Sequence, residues 1–181
     1  TPNNGHMRKL ISLLTVLSII VGLTACGSDK PDDLPVSLDA SATQSFTLIA
    51  ASGTSQSPEA TFKLSDFASI TEYVKYIEKA DVLSTSYFEF SGIPATDDVL
   101  LSNISLVLAS NTKTNITLSD ITSNRRINAD IAANLNFLQA VMNEINRKGS
   151  SKVILKYTTS SHLTNPQTQF KIQLNARFSF N

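Results

Sequence analysis

Residues 170–180 read Phe-Lys-Ile-Gln-Leu-Asn-Ala-Arg-Phe-Ser-Phe and give the clearest evidence for the class of fold. Apolar and polar side chains alternate along its whole length; the apolar set is Phe170, Ile172, Leu174, Ala176, Phe178 and Phe180. Successive side chains of a β-strand point to opposite faces, so a period of two sorts these residues onto two faces. The stretch therefore predicts a long strand with one buried face and one face in water.

Shorter β-like runs precede this strand. Residues 152–159 place Val153, Leu155 and Tyr157 on one face, and Asn165-Pro166 then gives a turn signal. We therefore predict that 152–159 and 170–180 pair as a hairpin. Residues 82–90 and 99–109 flank a Gly- and Pro-containing gap and predict a second hairpin. The remaining β-like runs are 45–51, 60–64 and 115–118.

Two segments have the period of a helix instead. Residues 130–148 carry one apolar stripe, formed by Ile131, Leu135, Leu138, Met142 and Ile145. Asn128 or Asp130 can cap the start of this helix, and Gly149 can end it. Residues 69–72 (Ser-Ile-Thr-Glu) form a capping-box pattern that opens a short helix, with Ile70, Val74 and Ile77 predicted to face inward.

These elements predict a mainly β domain with two helices over residues 36–181. The favoured architecture is an antiparallel two-sheet sandwich, for which an immunoglobulin-like arrangement is one form. The alternative is an α+β domain, in which the helix of residues 130–148 packs on one antiparallel sheet. The chain has 181 residues with 15 basic and 15 acidic side chains, so its formal charge is zero. This balance excludes a strongly basic nucleic-acid binder, and we expect no nucleic-acid partner.

The N-terminal region carries a targeting pattern. Arg8 and Lys9 precede an apolar run over residues 10–21, and Leu23-Thr24-Ala25-Cys26 follows. A short basic segment, an apolar core and small residues at a cleavage site are typical of a secretory signal peptide. The last four residues resemble the lipobox of bacterial lipoproteins, whereas residues 36–181 resemble no family.

The lipobox resemblance implies that Cys26 carries a lipid and becomes the first residue after cleavage by signal peptidase II. We therefore expect residues 7–25 to be the signal peptide and residues 26–35 to be an extended, lipidated tether. Residues 1–6 are interpreted as a cloning remnant or a misread start. The expected location is the outer membrane of a Gram-negative bacterium, on either the periplasmic or the cell-surface side. An uncleaved membrane anchor and a buried structural cysteine are the alternatives to this interpretation.

Few residues outside this signal suggest chemistry. His162 is the only histidine after Cys26, and it lies beside a predicted turn. Glu89 and Asp97-Asp98 are carboxylates in a strand and a turn, where acidic residues commonly serve structure. We find no nucleophile motif and no phosphate-binding loop, and we assign no catalytic, cofactor-binding or metal-binding residue. Cys26, as the site of lipidation, is the one site residue predicted.

These observations favour a non-enzymatic role. The leading hypothesis is an envelope lipoprotein held at the membrane through Cys26, acting as a binding or scaffold module for a protein or glycan partner. One alternative is a hydrolase of envelope or other polymers, which would need convergent acidic residues or His162. The other is a carrier for an apolar ligand, which would need a large cavity between the sheets. No cofactor is expected.

Overall fold

The computed structural model describes residues 30–95 and 98–181. Pro35–Asn181 form one compact unit, and residues 30–34 belong to a separate one. The strands are β1 (Ser37–Thr47), β2 (Ser55–Gln56), β3 (Glu59–Lys63), β4 (Ile77–Val82), β5 (Tyr87–Ser91), β6 (Leu101–Leu108), β7 (Asn111–Thr117), β8 (Arg125–Asn128), β9 (Ser150–Thr159) and β10 (Gln169–Phe180). The helices are the 3₁₀ segments η1 (Leu64–Asp66) and η2 (Ala68–Tyr76) and the α-helix α1 (Ala132–Lys148).

The strands form two antiparallel sheets. The first sheet has the order β1-β10-β5-β8, and β4 also pairs with β10, beyond the end of β5. The second sheet has the order β2-β9-β6-β7, and β3 also pairs with β9. The prediction of a mainly β chain with two antiparallel sheets is confirmed, and the single-sheet alternative does not form. An immunoglobulin-like arrangement stays a prediction.

The predicted strand at 170–180 is confirmed as β10, and its apolar face lies in the core. Phe170 is fully buried and contacts three other phenylalanines, at ring-centroid distances of 4.6 Å from Phe90, 5.7 Å from Phe46 and 6.1 Å from Phe88. In the second sheet, the predicted inward face of β9, formed by Val153, Leu155 and Tyr157, is buried as well. Large aromatic side chains thus occupy the space between the sheets.

Helix α1 closes one open side of the sandwich, because it contacts β4 of the first sheet and both β7 and β9 of the second. The Gln139 side chain fixes this position: its Oε1 accepts from the Val82 N–H at 2.8 Å, and its Nε2 donates to the Ala80 carbonyl at 2.9 Å. These bonds satisfy backbone groups of β4 that would otherwise require another strand. At the other side, η1 and η2 contact β1.

The predicted helix is confirmed, with two corrections. Neither Asn128 nor Asp130 caps it, since the N-cap is Ile131 and no side chain bonds there. Ile131 is 58% exposed, although the stripe places it in the core. Gly149 ends the helix as predicted, with a φ of 81° and its N–H bonded to the Ile145 carbonyl. Because the helix contacts both sheets, its buried surface is wider than one stripe and also includes Phe137 and Val141.

The short second helix is also confirmed in place but differs in type. It is a 3₁₀ helix in which Ile70 is buried, whereas Val74 is 39% exposed and Ile77 already begins β4. Three residues complete each 3₁₀ turn, so positions separated by four residues do not share a face. The inward assignment of Val74 is therefore wrong.

Both predicted hairpins are wrong. β9 belongs to the second sheet and β10 to the first, and the segment between them crosses the sandwich with a bridge from Leu163 to Ala50. β5 and β6 are likewise in different sheets. Alternation identifies a strand but carries no information on its partner, and a turn signal can mark a change of sheet as well as a hairpin.

Irregular backbone explains two further differences. A bulge lies between Ser102 and Ser105 in β6, and Asn103 has a φ of 52°. The bulge shifts the alternation within residues 99–109, so Leu101 is buried together with Ile104, whereas Leu100 is 37% exposed. Near the N-terminus, the Leu34 N–H bonds to the Pro31 carbonyl at 3.1 Å, so this part of the predicted tether forms a turn instead of extending fully.

Candidate functional site: the outer face of the first sheet

The outer face of the first sheet is a continuous polar surface. β1 and β10 pair over all eleven positions of β1, so each outward residue of one strand lies opposite an outward residue of the other. We define the outer face as Asp39, Ser41, Thr43 and Ser45 of β1, Lys171, Gln173, Asn175, Arg177 and Ser179 of β10, Lys79 and Asp81 of β4, Tyr87 and Glu89 of β5, and Arg126 and Asn128 of β8. The polar half of the β10 alternation is the centre of this surface.

One end of the outer face is organised by an ion pair. The Arg177 guanidinium donates from Nε to Asp39 Oδ1 at 2.7 Å and from Nη2 to Oδ2 at 3.0 Å. The hydrogen bond from Arg177, helped by its charge, holds the pKa of Asp39 below its ordinary value of 3.8. Both side chains are about half exposed, so this fork orients the two groups and contributes little to stability.

A hydrogen-bonded chain of amides and hydroxyls occupies the centre. The Thr43 hydroxyl donates to Gln173 Oε1, and Gln173 Nε2 donates to Asn175 Oδ1 at 3.0 Å. Asn175 Nδ2 in turn donates to the backbone carbonyl of Thr85 at 3.0 Å and to its hydroxyl at 3.2 Å. The chain links β1, β10 and the turn between β4 and β5, so these polar side chains keep fixed directions.

The far end of the outer face carries an aromatic ring under a cation. The Arg126 guanidinium carbon lies 4.0 Å from the centre of the Tyr87 ring, and Arg126 Nη2 lies 3.0 Å from Glu89 Oε1. Register explains the cluster, because Tyr87 and Glu89 face outward on β5 while Arg126 is opposite Glu89 on β8. The interaction combines a cation–π contact with an ion pair.

A pocket of about 300 Å³ opens at the Asp39 end of the outer face. Its lining combines β1, η2, the turn between β4 and β5, and β10; the residues are Asp39, Ala40, Ser41, Ser69, Leu83, Thr85 and Asn175. The turn is held against β10, because the Leu83 N–H bonds to the Asn175 carbonyl and the Ser86 hydroxyl accepts from the Asn175 N–H. We refer to this cavity of about 300 Å³ as the Asp39 pocket.

A second concavity of about 400 Å³ lies beside the C-terminal half of α1 and contains a buried carboxylate. Glu144 is only 8% exposed and is bonded by Lys148 Nζ at 2.7 Å and by the hydroxyls of Ser110 at 2.7 Å and Ser151 at 3.2 Å. Burial opposes ionisation of Glu144, but these three bonds outweigh it and lower the pKa below the ordinary 4.5. A carboxylate stabilised in this way is a weak base, and its bonds join α1 to β9 and to the turn between β6 and β7.

The residues singled out in the sequence do not converge. Cys26 and Asp97 lie outside the described residues. His162 is exposed in the crossing segment between β9 and β10, and the backbone carbonyl of Asp98 accepts from the Ser160 hydroxyl at 3.2 Å. Glu89 is on β5 as predicted and is paired with Arg126.

The part of the chain that the structure describes holds neither a metal-binding group of side chains nor a membrane-spanning helix. Across residues 30–95 and 98–181, no three His, Cys, Asp or Glu side chains are grouped so that they could hold a metal ion. Over the same residues, no helix combines the length and apolar character needed to cross a bilayer.

Sequence reasoning missed half of the outer face. The alternation in β10 identifies its polar residues, but the β-like run at the start of the domain begins at Ser45, whereas strand β1 begins at Ser37. Its first inward residues include Ala40 and Ala42, which give a weak apolar signal among serine, threonine and aspartate. β8 also went unrecognised, because it has only four residues and two of them are arginines. The alternation of residues 37–46 was the available signal for Asp39.

Comparisons with known proteins add little. No family model matches the chain, and no curated protein matches it significantly. Among solved structures, the chain is similar to one of Desmodium yellow mottle tymovirus, with a TM-score of 0.35 and 13% identity over 83% of this chain and 88% of that one. It is also similar to an empty-head structure of turnip yellow mosaic virus, with a TM-score of 0.35 and 7% identity over 87% and 89%. Similarity at this level carries no argument about function.

Proposed function

We propose that this protein is a lipid-anchored lipoprotein of the cell envelope whose β-sandwich domain is a non-catalytic binding module. The lipidated residue is Cys26, and the location is the outer membrane of a Gram-negative bacterium. The binding surface is the outer face of the first sheet. Its partner is a protein or a glycan of the envelope.

The observation that carries this proposal is the fixed polar network at the centre of the outer face. Gln173 and Asn175 lie on the central strand β10 and are held by bonds to their neighbours. Amide groups held in place lose little conformational entropy when a ligand binds, which favours recognition. Tyr87 and Arg126 at one end of the face are residue types enriched at binding surfaces.

The packing between the sheets favours this role over transport of an apolar ligand. Phe170, Phe90 and Phe88 are fully or almost fully buried on the inner face of the first sheet, and the rings of Phe90 and Phe88 both contact that of Phe170. A carrier needs an empty apolar volume large enough for its cargo. Here aromatic side chains occupy the region where that volume would lie.

The anchoring part of the proposal is tested with the variant Cys26→Ser. Intact mass analysis of the membrane fraction should show loss of residues 1–25 and added acyl mass on Cys26. The variant should move from the membrane to the soluble fraction, because stable membrane attachment of this kind depends on the acyl chains. Equal membrane retention of wild type and variant would overturn the anchoring claim.

The binding part is tested with a matched pair of substitutions in the membrane-anchored protein. Gln173→Arg places a large cation in the middle of the outer face, and Thr158→Arg places the same side chain on the outward side of β9 in the second sheet. Both positions are half-buried on central strands. Gln173→Arg should reduce co-purification of envelope components after mild cross-linking, whereas Thr158→Arg should not. An equal effect of the two variants would contradict the assignment of this face.

A further inference from the structure

The Asp39 pocket has a lining in which hydroxyl and amide chemistry predominates. Ser41, Ser69 and Thr85 contribute three hydroxyl groups, Asp39 a carboxylate and Asn175 a carboxamide. A hydroxyl both donates and accepts hydrogen bonds, whereas a carboxylate only accepts. The ligand that satisfies such a mixture itself carries several groups that donate and accept, as a polyhydroxylated sugar does.

The charge of the pocket favours a neutral ligand. Among the described residues that line it, Asp39 alone is charged, and both of its oxygens already receive bonds from Arg177. Each carboxylate oxygen retains acceptor capacity beyond one such bond, so Asp39 can still receive bonds from ligand hydroxyls. The compensated charge neither attracts a cation strongly nor excludes a neutral molecule.

The fixed direction of the Asn175 amide and the volume of the pocket restrict the choice of ligand further. Asn175 is held by Gln173 and Thr85, so its amide direction is set before a ligand arrives. Ala40 and Leu83 add apolar surface, against which the C–H face of a sugar ring can pack. A volume of about 300 Å³ is at the lower end of small-molecule sites and suits one ring. Because the pocket is open, that ring can belong to a longer chain.

We propose that the Asp39 pocket binds a single neutral hexopyranose unit of a glycan. The proposal rests on the proposed binding function and names the partner class of the same face. The carboxylate of Asp39 and the Oδ1 of Asn175 accept hydrogen bonds from neighbouring ring hydroxyls. The serine and threonine hydroxyls complete the set, and Leu83 contacts the ring.

The test uses the full chain in detergent micelles and ligand-observed saturation-transfer NMR. The probes are methyl α-glucoside, methyl α-mannoside, methyl β-galactoside and, as an anionic comparison, glucuronate. At least one neutral glycoside should bind, and glucuronate should bind more weakly than that glycoside. Absence of binding by all three neutral probes, or tighter binding of glucuronate, would overturn the proposal.

Two substitutions on the same strand separate the pocket from the surrounding surface. Ser41→Leu fills the pocket, and Ser45→Leu is its control, since both serines are exposed on β1 and only Ser41 lines the pocket. Thermal unfolding of each variant establishes that it remains folded. Ser41→Leu should raise the dissociation constant of the bound glycoside about tenfold or more, equivalent to about 1.4 kcal/mol, while Ser45→Leu should leave it unchanged. Equal effects would overturn the assignment to this pocket.

Failure of the sugar proposal can be distinguished from failure of the proposed binding function. If no glycoside binds but Gln173→Arg still abolishes capture of an envelope component, the sugar proposal fails and the binding role stands. If Gln173→Arg and Thr158→Arg leave capture equally intact, the binding role of the outer face fails.

Discussion

At the scale of single residues, the most consequential group is the buried carboxylate of Glu144. Its pKa in the folded protein is lowered, so ionised Glu144 stabilises the fold above its ordinary pKa of 4.5. That contribution is lost as the pH falls through the folded-state pKa. Glu144→Gln should lower the free energy of unfolding at neutral pH by ~1.5–3 kcal/mol and flatten its decline in acid. Urea unfolding across this pH range measures both effects.

The control for Glu144 is Glu72→Gln, because Glu72 is exposed on η2. This variant should retain the stability and acid dependence of the wild type. If Glu144→Gln had the same acid dependence as the wild type, ionised Glu144 would not stabilise the fold.

A second residue prediction concerns His162. Its side chain is exposed, and the residue belongs to the crossing segment and not to the strands that form the outer face. His162→Ala should change the free energy of unfolding by less than ~0.5 kcal/mol, as is usual at exposed sites. It should also leave partner capture unchanged. Loss of a measurable turnover in a folded His162→Ala protein would instead support the hydrolase alternative.

At the scale of elements, helix α1 shows what a side-chain stripe predicts and what it misses. The Leu138, Met142 and Ile145 part of the stripe was correct, and all three residues are fully buried. The helix start was wrong, since helical periodicity extends across Ile131 while the backbone there is still extended. A stripe identifies one buried face, but it cannot reveal that two sheets bury the helix from two directions.

The helix provides a matched pair of substitutions. Leu138→Ala should cost ~2–5 kcal/mol of stability, because it leaves a cavity between α1 and the sheets. Ile131→Ala should cost much less, since Ile131 is 58% exposed. Chemical unfolding of both variants gives the comparison. Equal losses would mean that α1 does not pack as described.

The turn after β5 offers another element-scale test. Gly92 has a φ of 68°, and a Cβ placed there would lie 2.1 Å from the Gln167 carbonyl oxygen of the crossing segment. Gly53 has a similar φ of 71° with no atom within 4 Å of that position. Gly92→Ala should therefore destabilise the fold by at least ~1–3 kcal/mol more than Gly53→Ala, since only Gly92 adds a steric clash to backbone strain. Thermal unfolding that ranks the two variants equally would refute this.

At the scale of the whole molecule, local patterns predicted the class of fold better than its connections. The alternation in β10 and β9 established buried strands and hence a mainly β domain. Both hairpin predictions failed because pairing is decided by the core, which places β9 and β10 in opposite sheets. The same limit applies to the candidate site. Asn175 could be recognised as outward on β10, but its neighbours Asp39 and Thr85 are distant in sequence and meet it only in the folded domain.

We propose that the outer face of the first sheet, and not that of the second, meets a partner in the envelope. Site-specific photo-cross-linking in living cells tests it directly, with the photoreactive amino acid placed at Gln173 in one strain and at Thr158 in another. We expect a specific cross-linked adduct from Gln173 that is absent from Thr158. An adduct of equal yield from both positions, or one only from Thr158, would contradict it.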